Sequence, residues 1–248
     1  MTKIPDILEL LKAGAHFGHQ SSRWHPKMGP YIYGVRNGVH IIDLEKTIQK
    51  LAEAQEFIKK VVSNNGTILF LGTKRQVQPI LEREAQRCGV PYITGRWIGG
   101  FLTNFPIVIK LTKKYKDLVK RRESGELNKY TKKEQLDFEK EIARLQSMVF
   151  GVKDVEKIPE AIFIWDVKTE KTAVKEAIVK HVPIIGICDT NTKPEDIEYI
   201  IPVNDDATKT IDLLMTYIAD CVLEAKGASF TPALVKAPEA KENSKKTK

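Results

Sequence analysis

The sequence predicts an α/β fold: a three-layer α/β/α arrangement around a five-stranded parallel sheet, with an antiparallel coiled-coil helical hairpin inserted between the second and third strands. Two observations predict it. Five short apolar runs, at 67–71, 90–93, 161–165, 182–188 and 200–203, alternate with stretches of helical periodicity, the pattern of successive strand–helix units whose connections cover both faces of a sheet. Between the second and third runs lies a charged stretch, 106–151, in which apolar residues recur at steps of three and four, the spacing of a helix–helix seam.

The 248 residues are 42% hydrophobic, enough for one sizeable core and a smaller appendage. Three scattered cysteines, Cys88, Cys188 and Cys221, do not make a disulfide framework or a cysteine zinc site and suit a reducing compartment. No apolar run is long enough to span a bilayer, and the N-terminus is polar where a signal peptide would be apolar. A cytosolic protein is expected. The net charge of +8 is unevenly spread: 14 basic against 8 acidic groups in 1–105, 12 against 7 in 106–151, 8 against 15 in 152–225, and 6 against 2 in 226–248. A polyanion is therefore expected to meet the first half and the hairpin.

In chain order, Ile4, Ile7, Leu8 and Leu11 form the apolar stripe of a short docking helix that ends at Gly14. The segment 15–28 follows, irregular and rich in His, Trp and basic groups. His16, His19 and His25 invite a metal reading, although their spacing is that of no standard zinc motif. Asn37-Gly38 marks a β-hairpin between 31–33 and 39–42. Asp43 caps a long helix with Leu44, Ile48, Leu51, Ile58 and Val62 on its inner face. After the first sheet strand, Gly72-Thr73-Lys74-Arg75 opens the next helix, a geometry that suits an anion. It has neither the P-loop spacing nor the dinucleotide glycine pattern, so a nucleic-acid phosphate is the expected ligand and a solvated helix start the alternative.

The second strand leads into Gly95-Arg96-Trp97-Ile98-Gly99-Gly100-Phe101-Leu102-Thr103-Asn104. Arg96 beside Trp97 offers a fork of donors next to a stacking surface, which suits RNA, the alternative being a buried Trp with a covering Arg. Ile107, Leu111, Tyr115 and Leu118 then face Phe138, Ile142, Leu145 and Val149 across the hairpin, with Ser124-Gly125 at its turn and Thr131 to Glu134 as a capping box. The last helix, 206–225, buries Ile211, Leu214, Ile218 and Val222. The resulting units are 1–105 with 152–226 as a discontinuous sheet domain, 106–151 as the hairpin, and 227–248 as a disordered basic tail.

Six ordered segments carry a resemblance: 15–20 (AHFGHQ), 24–28 (WHPKM), 72–75 (GTKR), 96–104 (RWIGGFLTN), 188–191 (CDTN) and 202–206 (PVNDD). Over about residues 4 to 225 the chain resembles the bacterial ribosomal small-subunit protein S-two family. The resemblance implies a flavodoxin-like α/β/α domain with a projecting coiled-coil hairpin. It implies a structural, RNA-binding role in translation between head and body of the small subunit, cytoplasmic or organellar. It also implies neighbouring ribosomal proteins as partners and recruitment of the large mRNA-capturing ribosomal protein. Arg23, Lys27, Lys74, Arg75, Arg96 and Trp97 are the expected RNA-contacting residues.

Two other classes compete. Asp189, Asp205 and Asp206 lie at strand carboxyl ends, where an enzyme acting on phosphate esters would place catalytic groups, but no nucleophile with a paired base accompanies them. A protein adaptor without RNA is the other alternative, and the basic first half opposes it. No cofactor is required. A structural divalent ion is the further expectation: three carboxylates in one crevice repel, and Asp189, Asp205 and Asp206 with His19 would bind zinc, or magnesium if only oxygen ligands serve. The alternative keeps these aspartates as turn and helix-cap residues.

Overall fold

The computed structural model describes residues 2–227; the expected tail beyond residue 227 lies outside the described residues. The chain begins with α1 (Ile7–Ala13), opened by a capping box between Asp6 and Glu9 and closed by Gly14 in the left-handed conformation. Of the predicted stripe only Ile4, just before the helix, packs against the protein. Leu10 is the helix residue that is fully buried, whereas Ile7, Leu8 and Leu11 are 42%, 63% and 49% exposed.

The segment read as irregular contains a strand. β1 (Phe17–Gln20) pairs antiparallel with β3 (Val39–Ile42), which also pairs with β2 (Ile32–Arg36), giving a three-stranded sheet in the order β1-β3-β2. Asn37 and Gly38, with φ of 51° and 74°, make the predicted turn. Asp43 then caps α2 (Leu44–Ser63), accepting from the amides of Glu45 and Lys46.

The main sheet consists of β4 (Ile68–Leu71), β5 (Tyr92–Ile93), β6 (Ala161–Ile164), β7 (Ile184–Cys188) and β8 (Tyr199–Pro202), all parallel, in the order β5-β4-β6-β7-β8. That is the flavodoxin-like order. The strands are apolar throughout because both faces are covered, and alternate residues enter two separate cores. Phe70, Phe163, Trp165, Ile185 and Ile201 pack with α2, with α3 (Gln78–Cys88) and with α7 (Thr208–Ala225). Leu69, Leu71, Ile162, Ile164 and Ile184 pack with α6 (Lys171–Lys180) and with the base of the hairpin, α4 (Phe105–Glu123) and α5 (Lys132–Val149).

The hairpin seam is shifted from the expected one. Phe105, Val108, Thr112, Tyr115 and Leu118 are the buried residues of α4, so Tyr115 and Leu118 are as expected, while Leu111 is half-buried and Ile107 is 50% exposed. Ile142, Leu145 and Val149 are buried as expected. These seam residues belong to the same hydrophobic cluster as the strands of the sheet, so the base of the hairpin is continuous with the second core. No described helix is long and apolar enough to cross a membrane.

Candidate nucleic-acid interface and carboxylate crevice

At the carboxyl edge of the parallel sheet four strands deliver a charged group each. Lys74 follows β4, Asp166 follows β6, Asp189 follows β7, and Asp205 with Asp206 follows β8. The Lys74 ammonium lies 3.0 Å from Asp166 Oδ2, 2.9 Å from Asp205 Oδ1 and 2.8 Å from Asp206 Oδ1. Asp166 and Asp205 are almost fully buried and Asp206 is half exposed. Burial, with Asp166 and Asp189 alongside, pushes the Asp205 carboxyl up to about 7, although Lys74 opposes the shift. For Lys74 itself burial works against the charge, but the three carboxylates outweigh it and raise the pKa of the ammonium.

The N-terminal segment is sewn onto the same edge. Gly18 is required there, because a Cβ would come within 2.5 Å of Thr190 Cγ2. This close approach lets the His19 amide donate to Thr190 Oγ1 at 2.9 Å and the His25 amide donate to Thr190 O at 2.8 Å. His19 Nδ1 then sits 3.1 Å from Asp189 Oδ1 and Nε2 sits 3.8 Å from Asp206 Oδ2. The Asp189 hydrogen bond raises the pKa of the imidazole against the opposing effect of burial.

The crevice expected from the sequence thus exists, with two members that the sequence reading missed. Asp166 occupies the same strand-end position as Asp189 and was legible by that rule. Lys74 was expected to face a phosphate, but its ammonium turns inward to the carboxylates. The helix also starts later than expected. Residues 74–77 make a turn, and α3 starts at Gln78 without a side-chain cap. Asp206 does not cap α7, whose N-cap is Ala207.

Ligand atoms of His19, Asp205 and Asp206 lie within 4.8 Å of one another. Asp189 is not in that group: it holds His19 Nδ1 and so turns Nε2 toward Asp206, the outer-partner arrangement of a metal-binding histidine. One imidazole nitrogen and two carboxylates fit a divalent ion, with Lys74 as the cation that it would displace from Asp205 and Asp206.

Among the other expected contacts, Arg23, Arg75 and Arg96 are exposed. Lys27 pairs with Glu195. Trp97 is only 8% exposed, so it cannot offer a stacking face; it packs inside against Phe101 in a tilted pair, at 5.1 Å between centroids, and its indole donates to Glu176 at 3.0 Å. The sequence reading missed Glu176, an acidic residue on an amphipathic helix with no local signal of its role. It also missed an exposed apolar face of Leu11, Phe17, Tyr33 and Val35, around a cavity of about 740 Å³ between α1 and the small sheet. A family model described as Ribosomal protein S2 matches residues 10–225.

Proposed function

We propose that this chain, which belongs to the ribosomal protein S2 family, binds small-subunit ribosomal RNA through its first hundred residues and its hairpin, between the head and body of the subunit. Family membership makes it a structural protein of the small ribosomal subunit in translation. The RNA reading rests on one observation, the division of charge in the folded chain. Arg23, Arg75 and Arg96, together with Lys110, Lys113, Lys120, Lys132 and Lys133 of the hairpin, are exposed. The carboxylates at the sheet edge are instead drawn inward around Lys74 and His19. Such a surface gains affinity for a phosphate backbone by releasing counterions.

The apolar face of Phe17, Tyr33 and Val35 supports a second contact of the same function. These side chains are 51%, 82% and 57% exposed, and clustered apolar exposure of this kind marks a protein-docking surface. On this reading the face takes a neighbouring ribosomal protein, the large mRNA-capturing one. The crevice remains a structural device, pinning the N-terminal segment to the sheet, and a divalent ion held by His19, Asp205 and Asp206 would serve that end. Sedimentation tests the whole reading: the chain should travel with small subunits and leave them in high salt, and free sedimentation at low salt would overturn it.

A further inference from the structure

The loop between β5 and α4 is held by a carboxylate from a distant part of the chain. Glu176 lies in α6, buried against the loop. Its Oε1 accepts from the Trp97 indole at 3.0 Å and from the Gly100 amide at 2.8 Å. Its Oε2 accepts from the amides of Leu102 at 3.0 Å and Thr103 at 3.4 Å, and from the Thr103 hydroxyl at 3.4 Å. Gly100, at a φ of 84°, supplies the left-handed residue in the turn that brings these amides together. Hydrogen bonds to an ionised acceptor are the strong kind, and here they are made with little water in competition. Burial alone would raise the pKa of this carboxyl, but the donors outweigh it and hold it below the usual range.

The loop continues straight into α4, and Phe101 meets Phe105 edge-on in the first turn of that helix, at 6.0 Å. Arg96 immediately precedes Trp97 and is exposed. Its backbone is therefore adjacent to a fixed point, from which the side chain extends into solvent.

We propose that Glu176 is a positioning residue for RNA binding: it clamps residues 97–103 and thereby fixes the backbone point from which Arg96 reaches a phosphate. The inference rests on the reading that Arg96 contacts RNA. A donor whose backbone is already held in place loses less freedom on binding, which gives a buried acidic residue an effect on affinity for an acidic ligand.

The test is Glu176→Gln in the full chain. The amide retains one acceptor oxygen but sets an NH₂ group against N–H donors, so part of the clamp opens. Two readouts apply. Hydrogen exchange followed by NMR at the Trp97 indole and the Gly100 amide should accelerate on the order of tenfold, the loss of one charge-assisted bond. Affinity for a small-subunit RNA transcript should fall by a factor similar to that of Arg96→Ala, and the double variant should be no weaker than either single one. Glu176→Asp, which keeps the charge, should recover part of both. Unchanged exchange in Glu176→Gln overturns the clamp. Parental affinity, or losses that multiply in the double variant, overturn the link to Arg96. A parent chain that binds no RNA while the clamp opens on substitution overturns the RNA reading and the functional half of this inference with it. If Glu176→Gln fails to fold, Trp97→Phe removes one donor and keeps an aromatic ring, with a smaller change expected in the same direction in exchange at the Gly100 amide and in RNA affinity.

Discussion

The Lys74 ammonium lies 2.9 Å from Asp205 Oδ1, joining the loops after the first and last strands of the parallel sheet in chain order. Removing one partner of a buried ion pair typically costs about 3–5 kcal/mol. Lys74→Ala should cost somewhat less, about 2–3 kcal/mol in urea denaturation, because Asp206 is half exposed and water screens it. The pH dependence has a definite sign. Asp205 has a folded pKa raised to about 7 from 3.8, so the folded state holds a proton that the unfolded state has lost, and this contribution to stability declines as pH rises from about 4 to 7. Asp205→Asn should abolish that component of the stability profile, measured with chelator present.

An ion at His19, Asp205 and Asp206 is tested directly by mass spectrometry of the purified chain and by melting with and without chelator. Chelator should lower the melting temperature of the parent and leave His19→Ala unmoved. No bound metal and no chelator effect would leave Lys74 as the cation of the crevice.

Replacing Arg23, Arg75 and Arg96 with Ala should weaken RNA binding and flatten its salt dependence by at most about 0.9 log–log units per lost phosphate contact. Lys74→Ala should leave the slope unchanged, because its ammonium is spent on carboxylates. A slope that drops with Lys74→Ala and not with the three arginines would reverse the assignment.

Leu145 is fully buried in the hairpin seam, and Leu145→Ala should cost about 2–4 kcal/mol. Because the seam joins the second core, calorimetry should show one transition moved to lower temperature. Two resolved transitions would mean that the arm melts by itself. Leu136→Ala, at a 56% exposed position of the same helix, should change stability by no more than about 0.5 kcal/mol.

Tyr33→Asp places a charge on the 82% exposed centre of the apolar face. The chain should stay folded and keep its RNA affinity, while subunits carrying it should retain less of the large mRNA-capturing ribosomal protein in quantitative mass spectrometry. Equal retention would remove that face from the docking role.

The sequence by itself determined the strands of the parallel sheet, the family and the place of the hairpin. Apolar runs, helical spacing, the Asn37-Gly38 turn and the capping residues Asp43 and Thr131 all act through backbone conformation within a few residues, and that information is local. β1 escaped notice because Phe-Gly-His-Gln has neither alternation nor β-branched residues; it is a strand because it pairs with β3, and Gly18 lets it lie against Thr190, 172 positions later in the chain.

Only the tertiary structure decided which way the functional side chains point. Lys74 looks like a phosphate ligand beside Gly72-Thr73 and becomes an internal cation because Asp166 and Asp205 arrive from other strands. Trp97 looks like a stacking surface and becomes an anchor because Glu176, 79 residues away in sequence, meets its indole. Leu8 and Leu11 look like core and are left outside, since the first core closes over Leu10. In each case the periodicity allowed more than one partner. A long-range neighbour, able to neutralise a buried charge or fill a space in the core, determined the choice.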